Sequence, residues 1–398
     1  MSDGLACGDC LPEAKFEELA HRAVVDAFKW NMGRSTLCSF PLILGRALFE
    51  RLSSCAVALD AEARATEVEL LGRRDLHGLL GLPWPLRLAL LRATEVRGCR
   101  YARFDFHPVE GGGFAITEGN VDVAAGFNEG GGVTALFAPH VPGAEAAGDP
   151  AAAVARALVS TVGRGAVVGC MYMTNFVDDH QVVKFVARRF EEAGLVPVLF
   201  GPSQLRWMGS HAAVRRSAQT VRLDAVFRFF PADWLPRLAV SSRWWRMFQR
   251  GSTVWANPPS TILSQSKRAP LAWSRLRTPL PTWRRWLPET RRPEDVDGGE
   301  WVVKPALAHE GYRIAMRGVT ERSTYAEILR DAKSRPWRWA AQRRFRAATL
   351  DTPDGPRFPC VGVYVVEGEV AGLYGRLSAR PLIDDTAQDV VVLVRRDR

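Results

Sequence analysis

The sequence predicts a mixed α/β chain of three parts: a helical N-terminal segment running into a polar β-hairpin, a Rossmann-like lobe, and a strand-rich C-terminal lobe. Three observations carry this. Apolar residues recur at three- and four-residue spacing between residues 13 and 75, the period of helices with one buried face. From Ala151 the pattern alternates between helical AAAVARALVSTV, buried-strand GAVVGCMYM, amphipathic DDHQVVKFVARRFEEA and strand LVPVLFG. Those lengths suit strand–helix–strand units over a parallel sheet. After Gly299 the runs EWVVKPA, RWAAQRRF and FPCVGVYVVEGEVAGLYGRLSARPLI return the chain to strands. The expected boundaries are 1–140, 141–260 and 261–398, working as one unit.

In chain order, FEELAHRAVVDAFKW and ALFERLSSCAVALDAEARATEVELLGRR read as helices, broken by Gly78, Gly81 and Pro83 before a short helix LRLALLRAT. Tyr101 to Asn120 reads as a hairpin, with Glu110-Gly111-Gly112-Gly113 supplying the turn. VDVAAGFNEGGGVTALF is expected to be a glycine-rich loop, and Pro139 to Pro150 a connector. An arginine-bearing connector then precedes the strand LDAVFRFFP; the lobe has no GxGxxG loop and so does not require a dinucleotide. The tryptophan- and proline-rich stretch from Trp234 to Pro288, with helical pieces such as SRWWRMFQR, is expected to pack between lobes. TYAEILRDAKS is a helix, and Glu367-Gly368-Glu369 turns the last two strands.

At 398 residues and 47% hydrophobic content the chain can bury large cores. No apolar run approaches the roughly 20 residues that span a bilayer. The acidic start MSDGLACGDCLPEAKFEEL lacks a signal pattern, so a cytoplasmic enzyme is expected. Seven scattered cysteines argue for reduced thiols. Cys7 and Cys10 form the one CxxC, without a second ligand pair, and are expected in a frayed N-terminal tail. The net charge of +10 is nearly all arginine and comes with no RNP, zinc-finger or helix-turn-helix pattern. Nucleic acid is therefore not favoured as partner, and an anionic small substrate is the other reading. Lysine is scarce: Lys15, Lys29, Lys184, Lys267, Lys304 and Lys333 are the full set. A lysine retained among arginines hints at a need for a compact ammonium.

The hairpin gathers chemistry. Strand period two puts Arg103, Asp105 and His107 on one face and Phe104 and Phe106 on the other, while Glu118 and Asn120 share a face of the second strand. Two carboxylates and an amide oxygen suit a hard cation, and the guanidinium beside them an anion, which points to Mg²⁺ with phosphate. In VVKPA a buried strand delivers Lys304 just before His309, Glu310 and Gly311. An ammonium beside a small-residue flap can hold a nucleotide phosphate. Lys267 offers a second cation, and Gln342 a group for an adenine edge.

The succession of these motifs resembles the ATP-grasp ligases, and within them the permuted arrangement of glutathionylspermidine synthase and its uncharacterised bacterial relatives. Arg103-Phe104-Asp105 and Glu118-Gly119-Asn120 match an R-x-D strand and an E-x-N strand that come first; residues 151 to 230 match the Rossmann-like lobe; Lys267 and Lys304 match the ATP-clamping lysines that come last. DAVFRFFPADWL and ILSQSKRAPLAW are similar to the link and segment of the first lysine, WVVKPALAHEG to the VxKP strand and flap, RWAAQRRF to the hinge strand, and GLYGRLSARPLI to the closing G-x-R strand. FPLIL, DLHGLLGLPWPLR and NVDVAAGFNEGG resemble the bacterial relatives, so the likeness spans about residues 20 to 395. No preceding amidase domain of the kind some of these synthases carry is expected, since the likeness begins near the start of the sequence.

The resemblance implies an ATP-grasp-like fold whose third part clamps ATP. It also implies an ADP-forming carbon–nitrogen ligase that activates a small-molecule or peptide carboxylate as its acyl phosphate for attack by an amine. Asp105, Glu118 and Asn120 would hold Mg²⁺; Lys267, Lys304, Gln342 and the flap's Gly311 would bind ATP; Arg103 and Arg376 would meet the transferring phosphate from opposite sides. The flap departs from the family's arginine and glycines, carrying Glu310, which repels triphosphate, with Arg313 as the substitute cation. Alternatives are a catalytically weak nucleotide-binding or partner protein of the same fold, and a basic nucleic-acid-binding protein.

Overall fold

In the computed structural model, which describes residues 4–30, 36–94, 96–216, 219–297, 299–308 and 313–396, the N-terminal periodicity becomes two helices, α1 (Glu13–Asp26) and α2 (Arg46–Gly72). The buried side of α2 runs through Leu48, Leu52, Ala56, Leu59, Ala63 and Leu70, the i, i+3/i+4 stripe that drives it onto a sheet. The N-terminal segment is not a frayed tail. Leu5–Cys7 pairs with Leu42–Leu44, which in turn pairs with Val392–Arg395, because Leu5, Leu42 and Leu44 are buried by the pairing. All seven cysteines are free thiols.

The hairpin follows as β1 (Tyr101–Pro108) and β2 (Phe114–Asn120). Helix α3 (Pro150–Val162), capped by the Asp149 carboxylate accepting from the Ala152 amide, opens the lobe of alternating elements. It continues with β3 (Val167–Tyr172), α4 (Val177–Glu192), β4 (Val196–Phe200), β5 (Ala225–Phe229) and β6 (Val254–Ala256). The four strands form a parallel sheet in the order β6-β5-β3-β4. The arginine-bearing connector is instead an antiparallel meander of Leu205–Met208, His211–Arg216 and Gln219–Arg222. Its outward arginines dilute the alternation that would have announced it.

The last part contains β7 (Trp301–Pro305), α5 (Arg322–Ser334) and β8 (Trp339–Arg343), then the long hairpin β9 (Gly355–Val366) and β10 (Glu369–Ser378). β7 and β8 pair antiparallel, with Thr290–Arg291 on the other side of β8. β9 pairs with β1, from Val361 opposite Phe106 to Val366 opposite Tyr101. One sheet therefore carries both hairpins, in the order Gln388–Asp389, β10, β9, β1, β2. Phe104, Phe106, Val361, Val363 and Val365 pack one face of it with residues of α2, while Tyr101, Tyr364 and Tyr374 pack the other with Phe127 and Phe227 of the parallel lobe.

The glycine-rich segment is helical, a π-turn at Asn128–Val133 running into Thr134–Phe137. Its glycines serve close approach: a Cβ would lie 2.8 Å from the Leu373 carbonyl oxygen at Gly130 and 2.6 Å from the Ala27 Cβ at Gly132. The tryptophan-rich stretch holds short 3₁₀ turns, including Trp244–Phe248. No helix among the described residues is long and apolar enough to cross a membrane.

The chain leaving β2 is fastened to the parallel lobe by a fully buried cluster. Asp122 accepts from the Arg228 guanidinium, the Ala232 amide at 2.8 Å and the Thr261 hydroxyl at 3.0 Å. Arg228 also donates to the carbonyls of Phe230 at 2.6 Å and Asn257 at 3.1 Å. The Asn257 amide in turn brackets Tyr101, accepting from its N–H at 2.8 Å and donating to its carbonyl at 2.7 Å. Removing one partner of such a pair strands the other in an apolar interior. Asp122→Ala is expected to cost about 3–5 kcal/mol of folding stability, read as a lowered midpoint in urea unfolding.

Candidate active site

The hairpin is not a regular ladder. Phe104 faces Gly119 and Phe106 faces Ile116, so Thr117 and Glu118 together oppose Asp105. This bulge re-aims Glu118 and frees the Thr117 carbonyl from the strand pairing. Beside it Arg103 forks onto Asp105, Nε to Oδ1 at 2.7 Å and Nη2 to Oδ2 at 2.9 Å, and its Nη1 donates to the Ala125 carbonyl. The Asn120 amide nitrogen donates to Asp105 Oδ2 at 3.0 Å, leaving its oxygen as the atom available to a cation. The guanidinium lies 4.3 Å from the Tyr374 ring centre and 5.8 Å from that of Tyr364. Burial acts against its charge, but Asp105 and Tyr364 outweigh it and raise the pKa well above the usual value. Gly362 makes this possible: a Cβ there would lie 2.8 Å from Asp105 Oδ1 and 2.9 Å from Arg103 Cδ.

Lys267 and Lys304, the two lysines expected to bind ATP, meet the same bulge. Lys267 Nζ sits 2.6 Å from Glu118 Oε2 and donates to the Ala308 carbonyl at 2.8 Å. Lys304 Nζ donates to the Thr117 carbonyl at 2.7 Å and to Gln342 Oε1 at 2.9 Å. Burial pulls the Lys304 pKa down to about 8; Glu118 opposes the fall and Lys267 adds to it. An ammonium short of compensation in a dry wall is what an incoming phosphate would relieve. Glu118, Lys267, Thr117 and Gln342, with Trp283 and Leu287, wall a cavity of about 30 Å³. That has room for about two waters, so Gln342 here braces Lys304 rather than facing an open base pocket.

Arg376 is turned into its own loop, donating through Nη2 to the carbonyls of Asp384 at 2.8 Å and Ala387 at 2.7 Å, with Nε 3.6 Å from Asp389. Asp389 also accepts from the Tyr374 hydroxyl at 3.0 Å and from Lys29 at 2.7 Å, and Lys29 contacts Glu129 at 2.5 Å. The Tyr374 ring links this chain of charges to Arg103. Sequence reasoning missed Lys29, Glu129, Tyr374 and Asp389. The scarcity of lysine, applied to Lys29, was the signal that would have found one of them. His107 stands behind Asp105, its Nε2 3.8 Å from Cys360 Sγ; burial lowers its pKa to about 4, so the ring is neutral at pH 7. Arg313 pairs with Glu327 at 2.8 Å and lies over Trp339. Gly311, His309 and Glu310 fall outside the described residues.

The residues fit a hard cation and a phosphate. Among the described residues no three His, Cys, Asp or Glu side chains converge as a ready metal cage; the expected set has only two carboxylates, Asp105 and Glu118, and takes its third oxygen from Asn120. Both carboxylates are balanced by side-chain cations, Arg103 and Lys267, a role a divalent ion can share.

The sequence profile of the glutathionylspermidine synthase preATP-grasp family matches residues 93–395, which includes every site residue above except Lys29 and bears out the resemblance read from the motifs. No curated protein matches the sequence. Among solved structures, a glutathione synthetase-like effector (GSS30) from Globodera pallida in its apo form superposes with a TM-score of 0.67, covering 96% of this chain and 99% of that one at 12% identity. That likeness shows the α/β fold. A putative gamma-glutamylcysteine synthetase from Methylobacillus flagellatus KT superposes at a TM-score of 0.41, over 79% of this chain and 83% of its own at 12% identity.

Lys304 yields a pH test. Its pKa falls from 10.5 to about 8 on folding, so between those values the unfolded chain holds a proton the folded one lacks. Stability should rise with pH across that window, the penalty being complete below about 8 and gone above 10.5. Lys304→Met is expected to flatten the curve, measured by urea unfolding at pH 7.5 and 10.

Proposed function

The chain belongs to the glutathionylspermidine synthase preATP-grasp family, and on that footing we propose that it is an ADP-forming ATP-dependent ligase joining a carboxylate to an amine, with Mg²⁺. The observation that carries this reading is the convergence of Lys267 and Lys304 on the bulge that also presents Glu118 beside Asp105 and Asn120. ATP bound there with its metal would give its γ-phosphoryl group to a small-molecule or peptide acid, leaving ADP and an acyl phosphate, from which the amine displaces inorganic phosphate to form the amide.

This chain's residues have distinct tasks in that reaction. Lys267 and Lys304 grip the phosphates as point charges, and Gln342 holds the Lys304 ammonium in line. Asp105, Glu118 and Asn120 provide oxygen ligands of the kind Mg²⁺ prefers. Arg103 neutralises charge that builds on the reacting group, a task for which a fork held in place by Asp105 and the Ala125 carbonyl needs little reorganisation. Arg376 acts at one remove, sharing Asp389 with the Tyr374 that underlies Arg103. Segments 1–140, 141–260 and 261–398 serve as one catalytic unit, a reading supported by the sheet that both hairpins share.

With hydroxylamine as a general amine and a panel of small carboxylic acids, the expected result is hydroxamate formation matched by Mg²⁺-dependent ADP release. Arg103→Lys should lower turnover by about 10²–10³-fold, and Asp105→Ala by at least as much. Full activity in a folded Asp105→Ala protein would remove that residue from the metal set.

A further inference from the structure

Far from the centre, the helix Trp84–Leu91 turns two faces to different surroundings. Leu86, Ala89 and Leu90 enter the core shared with Leu235, Met247 and Phe248 of the tryptophan-rich stretch. Trp84, Leu88 and Leu91, spaced i, i+4 and i+7, lie on the opposite side and are 70%, 51% and 40% exposed. A helix packed on a core ordinarily carries polar residues there, so an apolar stripe on that side calls for a partner. A second exposed tryptophan lies close to the start of the helix. Trp337 is 53% exposed, and its carbonyl oxygen stands so near the backbone of Gly81 that a Cβ there would lie 2.5 Å from it. Arg268 fastens the two segments, donating to the carbonyls of Leu79 at 2.8 Å, Pro336 at 2.8 Å and Trp339 at 2.6 Å.

The surroundings of the stripe are basic. Residues 82–98 hold three arginines and one acid, and residues 333–338 two arginines, a lysine and no acid. Arg87, Arg92, Arg97, Arg335 and Arg338 are all exposed. The stretch 231–252, whose turns pack under the helix, adds four arginines against one acid. A second copy of the chain would set arginine against arginine. A nucleic-acid strand would use the guanidiniums and the indoles, but stacking needs flat rings and gives Leu88 and Leu91 no part. A lipid headgroup layer uses every one of these groups: leucines and indoles enter the acyl boundary while the guanidiniums stay among anionic headgroups. We propose that this face binds an anionic lipid surface, with the helix Trp84–Leu91 as the element that enters it. Four apolar side chains give a reversible attachment that depends on lipid charge, lying on the membrane rather than crossing it. The attachment is independent of the ligase reading above.

The test is flotation of the full chain with vesicles of phosphatidylcholine alone and of equimolar phosphatidylcholine and phosphatidylglycerol. Wild type should bind the anionic vesicles about tenfold or more tightly than the neutral ones, and high salt should remove the difference. The double variant Trp84→Ser, Leu88→Gln should weaken binding to anionic vesicles by about tenfold. The double variant Arg87→Gln, Arg92→Gln should do so by about tenfold as well. All four positions are exposed, so the urea-unfolding midpoints should stay at the wild-type value. The comparison of the two vesicles by wild type stands even if a variant does not fold. Equal binding of wild type to both vesicle types overturns the proposal, as does wild-type affinity in the folded Trp84→Ser, Leu88→Gln protein. Failure to bind either vesicle, with capture instead of an oligothymidylate or of poly-glutamate, assigns the face to nucleic acid or to an acidic peptide and likewise overturns it. A wild-type dimer that the Trp84→Ser, Leu88→Gln variant dissolves does the same in favour of self-association.

Discussion

Everything at the candidate site is referred to the buried Asp122–Arg228 pair. Asp122 is the second residue beyond β2, and Arg228 lies in β5 of the parallel sheet. Their contact, completed by Thr261 and the Asn257 amide, sets where the hairpin stands relative to the lobe beside it. Both side chains are wholly buried. An apolar substitute of the same volume packs with less desolvation but lacks the directional bonds that define one docking position; register is the best attested use of buried charge. Gln265 reinforces the same point, accepting from the amides of Val121 and Asp122. Since Gln265 is two residues from Lys267, the anchor that places the carboxylates also places one of the cations.

Charge balance governs the interior beyond that anchor. Arg103 is set against Asp105, Lys267 against Glu118, Arg100 against Asp60 and Glu67, and Lys29 against Glu129 and Asp389. Lys304 is held instead by a backbone carbonyl and an amide oxygen, and Arg268 by the carbonyls of Leu79, Pro336 and Trp339. Neutral acceptors satisfy hydrogen bonds without cancelling charge, which is why burial lowers the Lys304 and Arg268 pKa values, while the carboxylates facing Arg103, Arg100 and Lys29 raise theirs. A basic composition with a net charge of +10 thus coexists with an interior in which Lys29, Arg100 and Arg228 each face a carboxylate.

Local rules read the Tyr101–Asn120 hairpin, the parallel strands and the main helices well, because each of those signals lies within one element. β1 was visible from five alternating positions, and Lys304 from a buried run ending in VVKP. What local rules missed depends on partners distant in sequence. The pairing of β1 with β9 leaves no mark on either strand beyond two-sided burial. The bulge at Thr117–Glu118 is set by the pull of Phe104 and Phe106 into the core on one side and of Asn120 towards Asp105 on the other. The helical state of Asn128–Val133 was hidden for a different reason: glycine is read as freedom, whereas Gly130 and Gly132 are needed because Leu373 and Ala27 press against the backbone. Gly362 belongs to the same class, an absence of side chain whose purpose lies in the strand opposite.

The shared sheet has a consequence for how the protein comes into being. β1 and β2 are among the first strands to leave the ribosome, yet β9, which covers Arg103 and Asp105 and supplies Gly362, is among the last. Pairing between such distant segments is slow and exposes unpaired strand edge until it occurs. The acidic and basic groups of the centre are consequently translated long before their geometry exists, and a nascent chain holds its charges apart until the final hairpin arrives. A chain cut before β9 lacks both Gly362 and the strand that pairs with β1, and cannot hold Arg103 and Asp105 in this arrangement.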